Sequence, residues 1–320
     1  KNMASSKKSK EVNRVSAYGS TPIQAAVHSN NIQTVSILLS KKADPNLTEK
    51  PTGETALHRA VLNQNIDIVR MLLGANAKID ECGLYGSALH LAAIRNMDIV
   101  LELLKNNASV DLDNIDGKSP VYVAAFGKYF DIVKVLVENN ADISRDYGND
   151  GETILHIAMR KEKFDVVDGL LKLEMKELDL DIGDDKGNTP LHLSGKHYKT
   201  MKKLLECGAN PNCQNADGNT PLHLAIEWDW NFIETLLDHG AIPDILNELG
   251  QTPLMKAAVK SKEILENMIN HIHYSLKNKK GRQFVRDIQA NESISQEIKD
   301  FLVEKQNQQR ATKKSKKSVE

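Results

Sequence analysis

The sequence predicts an all-α solenoid, a row of stacked helix-turn-helix units joined by β-hairpin-like loops. Three observations predict it. A phrase of the type Thr-Pro-Leu-His recurs eight times, with 31 to 36 residues between successive Thr or Ser anchors. Two short apolar helical segments follow each anchor, and a polar, glycine-bearing turn leads to the next unit. A unit this small cannot bury its own apolar face, so each core must be completed by neighbouring units.

Each part of the unit has a physical reason. The anchor caps a helix, and Pro follows it at the first helical position in five of the eight copies, where a missing N–H costs nothing. The second helix ends at a residue that tolerates left-handed backbone. The anchors are Thr21, Thr55, Ser87, Ser119, Thr153, Thr189, Thr220 and Thr252. The predicted helix-ending residues are Asn76, Asn107, Asn140, Gly208 and Gly240.

The repeat resembles the ankyrin repeat. The family pattern G-x-T-P-L-H-x-A-A … L-L-x-x-G-A-D-x-N is met in large part over residues 187–212 and 218–243. The resemblance implies an ankyrin-repeat solenoid of about eight repeats over residues 15–270. It also implies binding of protein partners on a concave surface formed by hairpin tips and the exposed ends of the first helices.

The net charge at the two ends of the chain differs in sign from that of the residues between them. Residues 1–14 and 303–320 each carry a net charge of +4, which leaves −9 on residues 15–302. We therefore expect basic disordered tails over 1–14 and 306–320 and a C-terminal helical cap over 271–305. An acidic body argues against a uniformly basic nucleic-acid binder. Binding of nucleic acid or an anionic surface through the tails remains an alternative.

The compartment is predicted from cysteines and apolar runs. Three cysteines in 320 residues favour a reducing environment, and the N-terminal residues lack the apolar core of a secretory signal. We therefore expect a cytoplasmic protein without a membrane span. Nuclear import through the lysines of 313–317 is an alternative.

Two repeats depart from the pattern. Repeat six has Ser194-Gly195 where several other repeats have Ala-Ala, and we interpret Gly195 as a weak point inside a helix. Repeat five carries an insertion over 173–185, which predicts a longer loop.

No enzyme signature is present in the sequence. The chain has no G-x-x-x-x-G-K-[ST] phosphate loop, no H-E-x-x-H and no G-x-S-x-G motif, so we expect no catalysis, cofactor or metal. Five repeats share a histidine three places after the anchor, too far apart to share one zinc ion. The resemblance implies that they bond loop backbone between repeats. They are His58, His90, His156, His192 and His223.

The leading functional hypothesis is a non-catalytic protein-protein interaction scaffold or adaptor. Positions seven and eight past each anchor should lie near the binding face. Leu62, Ile94 and Phe126 form a predicted apolar stripe there, although they could simply fill the groove between helix pairs. The other predicted contacts are Arg160, Lys161, Lys196, Glu227 and Trp228. An acidic amphipathic or extended partner segment would suit this pattern.

Two further hypotheses concern a modification of asparagine and the wider protein context of the chain. The resemblance implies that Asn46 and Asn212, which each end a match to L-L-x-x-x-A-[DN]-P-N, are candidate sites of asparagine hydroxylation. The chain could also be a regulatory ankyrin module of a larger protein, or an effector delivered by a pathogen.

Overall fold

The computed structural model describes residues 11–16, 19–148, 150–195, 197–276 and 278–317, with side chains up to residue 311. These residues contain 18 helices and two compact units, Lys1–Asn149 with Lys172–Leu178 and Asp150–Leu171 with Asp179–Glu320. The helices are α1 (Pro22–His28), α2 (Ile32–Ser40), α3 (Ala56–Leu62), α4 (Ile66–Gly74), α5 (Ala88–Ala92), α6 (Met97–Lys105), α7 (Pro120–Phe126), α8 (Phe130–Glu138), α9 (Ile154–Arg160), α10 (Phe164–Leu171), α11 (Pro190–Leu193), α12 (Tyr198–Glu206), α13 (Pro221–Ala225), α14 (Trp230–Asp238), α15 (Pro253–Lys260), α16 (Lys262–His271), α17 (Lys279–Ala290) and α18 (Gln296–Lys317).

The first unit contains four helix pairs, α1 to α8. The first helices stack in the order α1, α3, α5 and α7, and the second helices α2, α4 and α6 stack beside them. The residue two places after each anchor is fully buried in every pair, where it fills the space between stacked first helices. These residues are Ile23, Leu57, Leu89 and Val121.

The second unit repeats this arrangement with α9 to α16. Its buried residues at the same position are Leu155, Leu191, Leu222 and Leu254. The predicted left-handed helix ends are confirmed in both units, since Asn76, Asn107, Asn140, Gly208 and Gly240 all have positive φ. The predicted all-α solenoid of stacked helix-turn-helix units is confirmed as well.

Helices α17 and α18 follow the last pair. Leu302 of α18 is fully buried, and the Gln306 and Gln309 amides donate to the carbonyls of Leu276 and Tyr274 at 2.8 and 2.9 Å. Helix α18 continues to Lys317 and so includes most of residues 306–320, which the sequence predicted to be a disordered tail. The residues 1–10 of the predicted N-terminal tail lie outside the described part of the chain. Among the described residues, no helix combines the length and apolarity needed to cross a bilayer.

Repeat six differs from its predicted form. Helix α11 ends at Leu193, and Gly195 lies in the following turn with a φ of +52°. The interpretation of Gly195 as a glycine inside a helix was therefore wrong, because the short first helix ends before it. Glycine is suited to this turn, since left-handed backbone is strained for residues with a β-carbon.

We expect Gly195→Ala to lower the free energy of unfolding by about 1–2 kcal/mol, the cost of placing a β-carbon in left-handed backbone. The matched control is Gly74→Ala, because Gly74 ends α4 without a positive φ and an added methyl group would meet open space. Urea unfolding of both variants tests this. A stabilising Gly195→Ala would show that this turn adopts ordinary helical backbone in solution.

Candidate functional site

Five buried histidines connect successive repeats. In each, the anchor N–H donates to histidine Nδ1 at 3.0 to 3.3 Å, so Nδ1 carries no hydrogen. Nε2 donates to the carbonyl before the next anchor at 2.8 to 3.0 Å. The predicted bonding of loop backbone between repeats is confirmed. Burial lowers the pKa of His58, His90, His156, His192 and His223, since charging them would cost solvation.

Repeat one makes the same connection without a titrating group. Gln24 occupies the histidine position, accepts from the Thr21 N–H at 2.7 Å through Oε1, and donates from Nε2 to the Glu54 carbonyl at 3.2 Å. Repeat four has Tyr122 there, and Ser119 instead bonds the Tyr147 hydroxyl at 2.7 Å. No cluster of metal-ligating side chains occurs within the described residues.

A groove of about 620 Å³ lies in the first unit between the hairpin tips of repeats three and four. We call it the tip groove. Its apolar walls come from the helices α3, α5 and α7 and from the two tips. The tip side chains are strongly exposed, with Leu84 at 42%, Tyr85 at 62% and Ile115 at 71%. The wall residues outside the tips are Leu62, Leu91 and Val123 on the helices and Ile94 in the turn after α5, and the polar lining residues are His90, Arg95, Asn114 and Asp116.

The three residues of the predicted apolar stripe are all half-buried. Leu62 and Ile94 line the tip groove, whereas Phe126 does not. Phe126 stacks on the buried Tyr122 with ring centroids 4.5 Å apart. It lies three positions after Val123 on α7, so both side chains occupy one face of that helix.

Among the predicted basic contacts Arg160, Lys161 and Lys196, Arg160 already forms ion pairs inside the second unit. Arg160 forms ion pairs with Glu152 and with Asp184, the latter at 2.5 Å. Burial opposes ionisation of Asp184, but hydrogen bonds from Asn188 and Arg160 outweigh it and hold its pKa low. Arg160 therefore links repeats five and six. Lys161 is exposed, and Lys196 lies outside the described residues.

The remaining predicted contacts lie further along the second unit. Glu227 is exposed and pairs with Lys260 at 2.6 Å, a hydrogen bond that lowers the pKa of Glu227. Trp228 is half-buried and contacts the edge of Phe232 at a centroid distance of 5.4 Å. Trp228 thus presents part of its ring to solvent from a packed aromatic cluster.

Asn46 and Asn212 adopt matching geometries. The Asn46 amide donates to the Asn76 carbonyl at 3.2 Å and accepts from the Lys78 N–H at 2.6 Å. The Asn212 amide bonds the Gly240 carbonyl at 3.0 Å and the Ile242 N–H at 2.8 Å. Each side chain therefore joins its repeat to the next, and hydroxylation at these positions stays a prediction.

Sequence reasoning missed the exposed tip residues of the groove. A signal was present, because Leu84, Tyr85 and Ile115 are apolar residues in turns where repeats five and six carry Asn149-Asp150 and Asp185-Lys186. The predicted contacts all lie seven or eight positions past an anchor, and the tips lie outside those positions.

Comparison with known proteins places the chain in a family. The profile described as ankyrin repeats (3 copies) matches residues 3–83, 75–147, 145–214 and 193–279. The chain is 29% identical to the nuclear factor NF-kappa-B p105 subunit of Gallus gallus over 203 residues, 55% of this chain and 20% of that protein. It is 29% identical to the B-cell lymphoma 3 protein homolog of Mus musculus over 226 residues, 66% of this chain and 49% of that protein.

A third relative, an ankyrin repeat protein of Acanthamoeba polyphaga mimivirus, is 30% identical over 244 residues, 67% of this chain and 31% of that protein. The chain spans less than half the length of each of these three relatives. The profile matches cover most of the chain. The chain therefore belongs to the ankyrin-repeat family, whose members are mainly non-catalytic protein-interaction modules.

Proposed function

We propose that the chain is a non-catalytic scaffold or adaptor that binds a protein partner through the tip groove. The observation that carries this proposal is the cluster of exposed apolar side chains at two adjacent tips, Leu84, Tyr85 and Ile115, above a groove lined by Leu62 and Ile94. Contiguous exposed apolar surface is costly in water and commonly marks an interaction site.

The groove has a size and chemistry suited to peptide side chains. Its volume of about 620 Å³ lies within the range of pockets that hold a ligand of a few hundred daltons. Phe126 continues the face of α7 that begins at Val123, so a partner longer than the groove would cover it. Leu62, Ile94 and Phe126 thus stay the proposed contact residues, joined now by the tip residues.

The second unit offers a separate set of proposed contacts. Lys161 is exposed, and Trp228 presents part of its ring. Arg160 and Glu227 already carry ion pairs with Asp184 and Lys260. A partner that used either of them would have to replace an existing ion pair, so we assign the larger role here to Lys161 and Trp228.

The test is affinity capture from cell extract followed by quantitative mass spectrometry. We expect the double variant Tyr85→Ser with Ile115→Ser to weaken capture of the specific partner at least about 30-fold, the loss typical of removing a central apolar anchor. Folding should be unaffected, because both side chains are largely exposed.

The matched control is Leu249→Ser, since Leu249 is 79% exposed at the tip of repeat eight and does not line the groove. We expect this control to capture the same partner as the unmodified chain. Capture that is unchanged in the double variant, or that is lost only on deletion of residues 303–320, would contradict the proposal.

A further inference from the structure

Backbone hydrogen bonds connect neighbouring hairpin tips. The second residue of a tip donates its N–H to the carbonyl of the preceding tip. In the first unit Leu84 N–H donates to the Thr52 carbonyl at 2.8 Å. In the second unit the same bond joins Asp185 to Asp150 at 2.9 Å, Ala216 to Lys186 at 2.8 Å and Glu248 to Asp217 at 3.0 Å. Each tip thus continues a ladder begun by its neighbour.

This ladder is interrupted at the tip groove. By register, the Ile115 N–H should donate to the Tyr85 carbonyl, as Ala216 N–H does to the Lys186 carbonyl. Neither the Ile115 N–H nor the Tyr85 carbonyl has a hydrogen-bond partner among the described residues. The groove therefore contains one free backbone donor and one free backbone acceptor.

The tip of repeat three is shorter than the tip of repeat four, and we attribute the interruption to this difference. The tip of repeat three is closed by the bond from Gly83 N–H to the Gly86 carbonyl and spans four residues. The tip of repeat four is closed from Asn114 to Lys118 and spans five. The tips that begin at Asp184, Asn215 and Asn247 also span five. The shorter tip fails to bring its carbonyl to its neighbour.

Two charged side chains at the groove are free of ion pairs. Arg95 and Asp116 both line the groove and are exposed. Neither side chain forms an ion pair with another described residue. A ligand that complements this site would place an acidic side chain over Arg95 and a basic one over Asp116, besides apolar groups in the groove.

An extended peptide meets all these requirements and a helix does not. An extended chain presents free N–H and C=O groups at its edges and directs alternate side chains to one face. A helix bonds its own backbone internally and has none to offer along its length. We propose that the tip groove binds an extended segment of a protein partner, which bonds the Ile115 N–H and the Tyr85 carbonyl and is oriented by Arg95 and Asp116.

The first test is amide hydrogen exchange of the intact chain, resolved by residue. We expect Ile115 to exchange at least about 10-fold faster than Leu84, which is the bonded amide at the corresponding position of the preceding tip. Protection of Ile115 equal to that of Leu84 would show that the ladder closes in solution and would overturn the inference.

The second test selects linear dodecapeptides from a random phage-displayed library on the intact chain. We expect the selected peptides to carry apolar residues at alternate positions and to protect the Ile115 amide from exchange. Insertion of one lysine between Gly86 and Ser87 restores the five-residue tip and should weaken their binding at least about 10-fold.

The outcomes separate this inference from the proposed function on which it rests. Peptides that bind as helices, with apolar residues three and four apart, but lose binding in the Tyr85→Ser, Ile115→Ser variant would overturn the extended mode and leave the proposed function standing. Peptides whose binding is unchanged in that variant, or a selection that yields no binders, would contradict the proposed function itself. If the insertion variant fails to fold, the exchange test on the unmodified chain still decides.

Discussion

The free energy of unfolding of the chain is expected to fall between pH 7 and pH 5. Replacing the five connecting histidines by glutamine is expected to remove most of that fall. The histidines have lowered pKa values in the folded chain, whereas in the unfolded chain they titrate near about 6.5. Below that pH the unfolded state binds more protons, so the stability present above it is lost as the pH falls. Each histidine contributes at most about 1.4 kcal/mol to this loss of stability for each pH unit.

Glutamine is the matched replacement because the chain already uses it. Gln24 makes both connections at the same position of repeat one. Urea unfolding at pH 7.5 and pH 5.0, followed by circular dichroism, gives the comparison for the two chains. Carboxylates such as Asp184 are common to both and contribute equally. An equal loss of stability in both chains would mean that the histidines are charged, or solvated, in the fold.

Leu89→Ala is expected to lower the free energy of unfolding by about 2–5 kcal/mol. Leu89 is fully buried between the stacked first helices, where a truncated side chain leaves a cavity. Because a solenoid repeat contacts only its neighbours, the loss should be concentrated in repeats two to four. Their amides should lose exchange protection before those of distant repeats do.

The control for that variant is Leu101→Ala in the same repeat. Leu101 is 48% exposed on α6, so its removal should change the free energy of unfolding by no more than about 0.5 kcal/mol. Urea unfolding of both variants, with residue-resolved hydrogen exchange, makes the measurement. A uniform loss of protection over the whole chain would show that the repeats unfold as one cooperative unit.

Much of the fold could be predicted because its causes are local. Caps at Thr and Ser anchors, Pro at the first helical position and Asn or Gly at helix ends each act within a few residues. The role of the histidines followed from the resemblance, and the bonds of His58 and His223 confirm it.

The remaining features depend on contacts that a single sequence does not display. Arg160 pairs with Asp184, which arrives from the loop before the next anchor. The continuation of α18 to Lys317 depends on bonds from Gln306 and Gln309 to residues 274–276. The tip of repeat three is one residue shorter than the tip of repeat four, a difference that shows only when neighbouring tips are compared.

The most direct test of the account is a hydrogen-exchange map of the intact chain with and without its captured partner. We expect new protection at the amides of Tyr85 and Ile115, and at Ile94 and Phe126 if the partner extends along α5 and α7. The Tyr85→Ser, Ile115→Ser variant should show none of it, and Leu249→Ser should show all of it. Protection confined to the second helices α2, α4 and α6, or to residues 303–317, would contradict binding at the tip groove.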